Sequence, residues 1–588
     1  MIQYLLPKKK EGEPSLKIER KPVRGFLVAT IITLILGVVY FYFTLPALNI
    51  HNPDAFIFVA AAIVIWCSLF AMFSRSLRFK KGEEGETQDG TGPKDYLDVD
   101  ENGNVIRKRY QKPTQITDLA VFSMKVPLAM LIVLAAIFAL GVVTGLPVFR
   151  ARSYSELLVP QTSDFSADVA EISYNQIPML DSSSAQVLAD RKLGELSDLV
   201  SQFEVDNSTT QINLNDQPVR VTFLNYGDAF KWLNNFMDGI PAYIVIDMTT
   251  QEVTVERMEN GIRYSPSEYF FRDIYRHLRF QYPTKLFGGV NFEINEEGHP
   301  YWVASVVTRT IGLFGGEDVI GAVLTDAVTG ESVYYDVADV PTWVDRVYPA
   351  ELLTEQYNYH GLYHKGFLNS IFGQSQVTVT TSGYNYIALD DDVWMYTGIT
   401  SVSGDESNVG FILVNQRTKE AKYYPIAGAT EVSAMRSAQG AVQQFGYEAT
   451  FPLLLNVSGQ PTYFMALKDA SQLVKQYAMV NVQQYNIVAT GSSVAECERN
   501  YVQLLGDNNI EVETEELSTV IGTITDIRSA VLDGNTRYFI QLNGADHYYM
   551  ISIADANLCA LLNVGDRISI GTMSVDGELR NAYSVERN

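Results

Sequence analysis

The side chains best able to do chemistry in this sequence are few and scattered. His360 and His364 lie four apart in YHGLYH, which would place two imidazoles on one face of a helical turn, where they could share a metal ion. No glutamate follows His360 as in HExxH, and Gly361 weakens a helix there, so two half-exposed histidines among tyrosines is the competing reading. Asp390, Asp391 and Asp392 run into Val393 and Trp394 and could seat a calcium ion, but the Gly and closing Glu of a calcium loop are missing. The same residues read as a solvated acidic turn. The GLFGG stretch at 312–316 lacks the Lys-Ser/Thr that completes a phosphate loop. No serine sits in GxSxG, and neither Cys497 nor Cys559 has an evident activating neighbour. No catalytic residue or cofactor site is assigned, and a metal site is left open.

The elements that would have to position any such site begin with three uncharged apolar runs, at residues 25–45, 55–73 and 126–149. At 1.5 Å per residue each is long enough to span a bilayer as a helix. The short HNPD link at 51–54 makes the first two a helical hairpin. Lys8, Lys9, Lys10, Lys17, Arg20, Lys21 and Arg24 precede the first run, and no cleavage site follows it, so the segment reads as a retained anchor. Arg75, Arg78, Lys80 and Lys81 follow the second run, and Arg107, Lys108, Arg109, Lys112 and Lys125 precede the third. The positive-inside rule places that loop in the cytoplasm and everything after the third helix outside. No run carries an ionisable residue near its centre, which argues against a channel or transporter core. Gly141 and Gly145 form a GxxxG, suited to packing on the first two helices or to a homo-oligomer.

Charge divides along the same boundary. Residues 1–148 carry 17 Lys and Arg against 13 Asp and Glu, leaving 27 against 55, a balance of −28, for the remainder. Such a surface repels phosphate backbones and excludes nucleic acid as the expected partner. Three cysteines give no disulfide framework; one is Cys67 in an apolar run, and a single bridge between Cys497 and Cys559 is open.

Beyond the third run, SSSAQVLADRKLGELSDLVSQF at 182–203 has helical periodicity behind a serine cap, and a strand pair is expected around 212–224. Then three segments repeat one pattern, a strand, [DN]xxTxE and a returning strand: Asp247, Thr250 and Glu252; Asp326, Thr329 and Glu331; Asn415, Thr418 and Glu420. An Asp or Asn at a turn start accepts from backbone N–H groups two and three residues on, and Gly330 supplies a positive φ in the middle copy. Helix candidates come after each hairpin: from Ser265 as cap with Pro266 and Glu268 forming a capping box, from Pro341, and from Glu431. An NxxGxP turn occurs twice, at Asn295, Gly298, Pro300 and at Asn456, Gly459, Pro461. Such repetition implies a duplicated α+β unit.

The strand, DAxTGE turn and returning strand from Val323 to Tyr335 resemble the closing hairpin of PepSY-type domains, small α+β modules of secreted and membrane-anchored bacterial proteins. The resemblance covers residues 240–475 and implies an extracytoplasmic binding or regulatory module, in some relatives a modulator of peptidases. It carries over no catalytic residue. From Ser518 the order β-β-β-α-β-β, with turns at Asp533-Gly534 and Gly565-Asp566, resembles an OB-fold. Its basic residues, mainly Arg528, Arg537, Arg567 and Arg580, are outnumbered by acids, which disfavours single-stranded nucleic acid. Tyr538, Tyr548 and Tyr549 could form a platform for a glycan or peptide, or simply pack the barrel.

The expected architecture is α+β: a cytoplasmic tail (1–24), a transmembrane hairpin (25–73), a flexible cytoplasmic loop (74–118) and a third transmembrane helix (119–149). A juxtamembrane α+β segment (150–235), two repeat units (236–375 and 376–515) and an OB-like barrel (516–588) complete it. The expected role is a non-catalytic binding, scaffold or regulatory protein of a bacterial cell envelope, with a protein or glycan partner. An envelope hydrolase with an unrecognised site, or an accessory subunit of a transport or secretion complex, is the alternative.

Overall fold

A computed structural model describes residues 21–79, 95–99, 105–109, 115–169, 177–389, 391–402, 407–508, 510, 518–532, 535–553, 556–572 and 579–587. The basic residues before Lys21, Lys80, Lys81, Lys112, Asp390 and the Asp533-Gly534 turn lie outside them. The chain is a mixed α+β protein with three apolar helices near the N-terminus followed by many sheets, and it divides into two compact units.

The first unit holds α1 (Lys21–Thr44), α2 (Pro53–Phe79), a hairpin of β1 (Asp95–Val99) and β2 (Val105–Arg109), and α3 (Gln115–Thr144). Each helix is long and apolar enough to cross a membrane, over Gly25–Thr44, Pro53–Phe70 and Lys125–Thr144. The α1–α2 hairpin is zipped by aromatic contacts, Phe26 on Trp66 at 5.4 Å and Tyr40 stacked on Phe58 at 5.6 Å. The loop expected over 74–118 is shorter than that, because α2 runs on to Phe79 and β1–β2 pair within it. Tyr282–Thr284 also belong to this unit: Leu48 N–H donates to the Pro283 carbonyl at 2.8 Å, and Asn49 Nδ2 to that of Thr284 at 2.9 Å.

The third apolar run is not one helix to Phe149. Pro147 forces Leu146 into extended backbone (ψ 136°), so α3 stops at Thr144 and α4 (Pro147–Ser155) starts afresh. Gly141 is thus inside α3 and Gly145 beyond its end, where its carbonyl accepts from Tyr154 Oη at 2.8 Å.

In the second unit α5 (Ser182–Gly194) is shorter than its periodicity implied and is capped by Asp181, whose carboxylate accepts from Ser184 N–H at 3.0 Å. Phe203 has already entered a strand. From there the chain builds one architecture four times, an antiparallel meander and a helix. Unit I has β3 (Thr210–Leu214), β4 (Gln217–Tyr226), α6 (Ala229–Asn235), β5 (Ile240–Asp247), β6 (Val253–Ile262) and α7 (Ile274–Gln281). Unit II has β7 (Leu286–Ile294), β8 (Pro300–Ile311), β9 (Gly315–Asp326), β10 (Ser332–Asp336) and α8 (Ala350–Tyr363). Unit III has β11 (Asn385–Leu389), β12 (Asp392–Ser401), β13 (Ser407–Asn415), β14 (Ala421–Tyr424) and α9 (Glu431–Ala441). Unit IV has β15 (Leu453–Val457), β16 (Gln460–Lys468), β17 (Val474–Asn481), β18 (Val488–Gly491) and α10 (Val494–Asp507).

The expected boundary at 376 falls between α8 of unit II and β11 of unit III. Residue 236 falls inside the unit I meander, because the [DN]xxTxE motif marks only the closing half of each sheet. All three motif turns are built alike. Asp247, Asp326 and Asn415 Oδ1 each accept two backbone N–H groups, at 2.7 and 2.9 Å, 2.8 and 2.9 Å, and 2.8 and 2.9 Å. The left-handed residue of each turn is Gln251 (φ 63°), Gly330 (φ 79°) or Lys419 (φ 68°). Asn481 repeats the turn in unit IV, accepting from Gln483 and Gln484 N–H at 3.0 and 2.8 Å in a loop one residue longer, without the Thr and Glu that flag the others. The two NxxGxP turns, by contrast, differ. Asn456 pairs with Pro461 across a tight turn at Ser458 and Gly459, whereas Asn295 lies in a wider loop closed by Ile294 and Pro300.

Stacking buries the sheets. In β12 and β13, Trp394, Tyr396, Phe411 and Leu413 face a core shared with unit IV, while Val393, Met395, Ile412 and Val414 face one shared with unit II. The period of two thus makes this sheet apolar on both faces. Units I and II meet through Phe223 against Phe292 at 5.4 Å and Trp302 at 4.8 Å. Two of the three expected helix starts are displaced. Ser265 caps nothing, since Glu268 turns inward and α7 begins after Asp273, whose carboxylate accepts from Arg276 N–H at 2.8 Å. The helix expected from Pro341 begins only after Pro349, and the one at Glu431 begins there, capped by Thr430.

The C-terminal strands β19 (Ser518–Leu532), β20 (Asn535–Leu542), β21 (Tyr548–Ser552), β22 (Arg567–Thr572) and β23 (Leu579–Arg587) pair in a ring, β19-β20-β21-β23-β22, with β19 bonded back to β22. The segment expected as a helix is a short 3-10 turn, Asn557–Leu561.

Gly330→Ala tests the repeated turn. A Cβ there would lie 2.2 Å from Tyr264 Cζ on a backbone at φ 79°, so the variant is expected to lose about 2 kcal/mol or more. Gln251→Gly at the matching open position should change stability by under about 1 kcal/mol. Thermal unfolding of the two variants in the same detergent checks the contrast.

Candidate functional site

The structure stacks the rings of His360 and His364 5.8 Å apart and separates most of the other residues singled out by sequence. His360 lies within α8, where Gly361 is no defect: its missing Cβ lets the helix approach the Thr378 carbonyl, which a Cβ would meet at 2.1 Å. His360 Nδ1 pairs with the Ser155 carbonyl at 2.9 Å, and burial pushes this imidazole below its usual range. His364 Nδ1 faces its own helix, 3.2 Å from the carbonyls of His360 and Gly361. Among the described residues no three His, Cys, Asp or Glu side chains gather as a metal ion requires.

Asp391 and Asp392 diverge. Asp392 takes a bidentate ion pair from Arg417, Nε at 2.6 Å and Nη2 at 2.8 Å, and a bond from Asn415 Nδ2 at 2.7 Å. Asp391 accepts from Asn213 Nδ2 at 3.0 Å. The GLFGG stretch is the β8–β9 turn, with Gly312 and Gly316 at φ 63° and 64°, and Gly312 backs onto Thr144 and Gly145. Cys497 and Cys559 are free thiols in separate cores, that of units III and IV and that of the ring, so no bridge joins them. The tyrosine platform does not form. Tyr549 is 2% exposed in the ring's core and Tyr538 packs against that core, while Tyr548 points the other way to bond Asp526 at 2.8 Å.

What sequence reasoning missed is a polar cluster where units I, II and III meet. Glu293 on β7 is 0% exposed and Asp345, ahead of α8, 1%. Glu293 Oε2 accepts the Asp345 N–H at 3.0 Å, and Asp345 Oδ2 accepts the Asn213 N–H at 2.6 Å. Asn213 then reaches Asp391, and Asp392 holds Arg417, so one chain of bonds crosses three units. Burial pushes Glu293 up to about 7, and burial together with Glu293 raises Asp345 well above the carboxylate range. Glu293 lies just ahead of the flagged Asn295 turn, but a lone glutamate in a strand carries no sequence signal of burial. Through these bonds the buried carboxyls join units I, II and III. A second buried carboxyl, Glu431 at the start of α9, accepts from Thr381 Oγ1 at 2.9 Å beside Asn408 and Tyr463.

No protein-family description and no curated protein matches this chain.

The joint titrates in a defined direction. Unfolded Glu293 ionises near 4.5, whereas the folded side chain keeps its proton to about 7. Between those values the folded state binds more protons, so stability falls as pH rises through this window and levels off above it. Glu293→Gln is expected to flatten that fall, measured as a smaller difference in melting temperature between pH 5 and pH 8 than in the parent. An equal or larger difference would rule this assignment out.

Proposed function

We propose that the chain is a membrane-anchored scaffold or binding protein of the cell envelope, with its second compact unit on the extracytoplasmic side and no catalytic activity of its own. The observation that carries this reading is the fourfold repeat. Its repeated polar positions, Asp247, Asp326, Asn415 and Asn481, are all spent on the backbone of their own turns, leaving the array as a surface rather than a site. The three candidate spans and the basic residues flanking the 74–118 segment support the orientation. On this reading the meander-helix units are PepSY-like modules and the C-terminal ring an OB-like barrel whose partner is a protein or glycan. Gly141, buried in α3, serves helix packing or a homo-oligomer.

Protease added to intact cells or spheroplasts is expected to digest residues 144–588 and spare the segment between α2 and α3. Digestion of that segment with protection of the C-terminal part would reverse the orientation and overturn the envelope role. Given outside exposure, affinity capture from envelope material should recover a specific protein or glycan.

A further inference from the structure

One repeat carries an addition that the other three lack. The link between the second and third strands is a tight turn in unit II (Ile311 paired with Gly315) and a short one in units III and IV, but in unit I it runs from Tyr226 to Ile240 and contains α6. None of the residues of α6 is buried. Phe230 is 77% exposed, Leu233 54% and Met237, just beyond, 67%. Beside them Phe270 is 62% exposed and is held at φ 55°, a left-handed backbone that a bulky residue adopts at a cost.

In the same two segments Trp232 gathers an aromatic cluster. Its ring lies 5.1 Å from Phe236, 4.7 Å from Tyr269 and 6.1 Å from Phe270. Its indole N–H is fixed by Glu268 Oε2 at 2.8 Å, and the other oxygen of that buried carboxyl takes the Tyr226 hydroxyl at 2.7 Å. Glu268 is thus buried holding aromatic donors, whereas Asp228 stays exposed, caps α6 through the N–H groups of Phe230 and Lys231 at 2.8 and 3.0 Å and pairs with Lys231 Nζ at 3.6 Å. The cations Lys231 and Arg272 lie in the same segments.

We propose that this surface of unit I inserts into the headgroup region of the lipid bilayer, as a second membrane contact besides the three helices. Exposed Phe, Leu and Met ringed by Trp, Tyr and cations is the composition of a membrane-water interface. α7 ends at Gln281, and the next residues, Tyr282–Thr284, bond to Leu48 and Asn49 in the turn joining α1 to α2, which two spanning helices hold at the bilayer boundary. With three crossings, that turn and the end of α3 lie on the same side of the membrane. The inference rests on the reading of the three helices as membrane-spanning.

The test uses the full chain, with Cys67→Ser, in nanodiscs of phosphatidylcholine and phosphatidylglycerol. Single nitroxides are placed at Phe230→Cys, at Val531→Cys on the exposed face of the ring, and at Ile35→Cys in α1. Collision with oxygen, which partitions into lipid, is compared with collision with a water-soluble nickel chelate. The expected result is an oxygen-to-nickel ratio at position 230 several-fold above that at 531 and below that at 35. A ratio at 230 equal to that at 531, with 35 still lipid-like, leaves the anchor standing and overturns the second contact. Shielding of 230 from both reagents overturns it in favour of a protein cover. A water-like ratio at 35 removes the anchor and the second contact together. A Phe230→Asp, Leu233→Asp variant should lower the ratio of a label at Met237→Cys to the value at 531 while its melting temperature stays within a few degrees of the parent; an unchanged ratio would count against lipid insertion.

Discussion

The fold depends on one backbone problem solved four times. Where the third strand of each meander ends, its N–H and C=O groups lie between stacked sheets and must be paired. Asp247, Asp326, Asn415 and Asn481 solve it with a side-chain oxygen that takes two N–H groups of the turn. The residue after each then donates its own N–H to a carbonyl at the start of the second strand. Met248 bonds Pro218 at 3.1 Å, Ala327 bonds Pro300 at 3.1 Å, Gln416 bonds Val393 at 3.0 Å and Val482 bonds Pro461 at 3.1 Å. The closing turn is thereby stapled to the opening turn, so each sheet's register is set at one edge. Each such bond is worth only about 1 kcal/mol net, but leaving a buried group unpaired costs about 1–3 kcal/mol, so the staple matters most through what its loss would expose.

Once the sheet edges are closed, neighbours can stack and their polar edges become joints. Glu293, Asp345, Asn213 and Asp391 form a continuous series across units I, II and III, and the carboxyls of Glu293 and Asp345 sit where water cannot screen them. Desolvation disfavours the charged form more strongly than two or three N–H donors favour it, which explains why Glu293 is raised although it is hydrogen-bonded. At Asp392 the same series ends on Arg417, which supplies a full opposite charge in bidentate geometry.

The sequence displays this architecture unevenly, for physical reasons. A closing turn is legible wherever Asp or Asn is followed by Thr and Glu, since the Thr hydroxyl also takes the Glu N–H, at 3.3 Å in all three copies. Asn481 does the same work without those residues and passes unnoticed. Opening turns are less legible still, because Asn215-Asp216 and Ser458-Gly459 reach the same left-handed geometry with different residues. Ser265, Pro266 and Glu268 have the pattern of a helix start, but Trp232 and Tyr226 claim the glutamate, and tertiary bonding overrides the local signal. The platform reading fails because neighbours in sequence were read as neighbours in space, whereas strand alternation sends Tyr548 and Tyr549 to opposite faces.

Repetition also separates what serves the fold from what does not. Positions occupied in all four units are consumed by turns, staples and shared cores, and their substitution should register as stability. The thirteen or so residues between β4 and β5 are under no such demand, since units II to IV bridge the same two strands with far fewer. An insertion that exposes Phe230, Leu233 and Met237 adds little to the core and a solubility penalty to the surface. It persists alongside a strained Phe270 and a buried glutamate devoted to orienting one tryptophan, and those three costs converge on a single face. A face built at that expense calls for a counterpart, and in a chain with three helices long and apolar enough to cross a membrane the counterpart we propose is the bilayer.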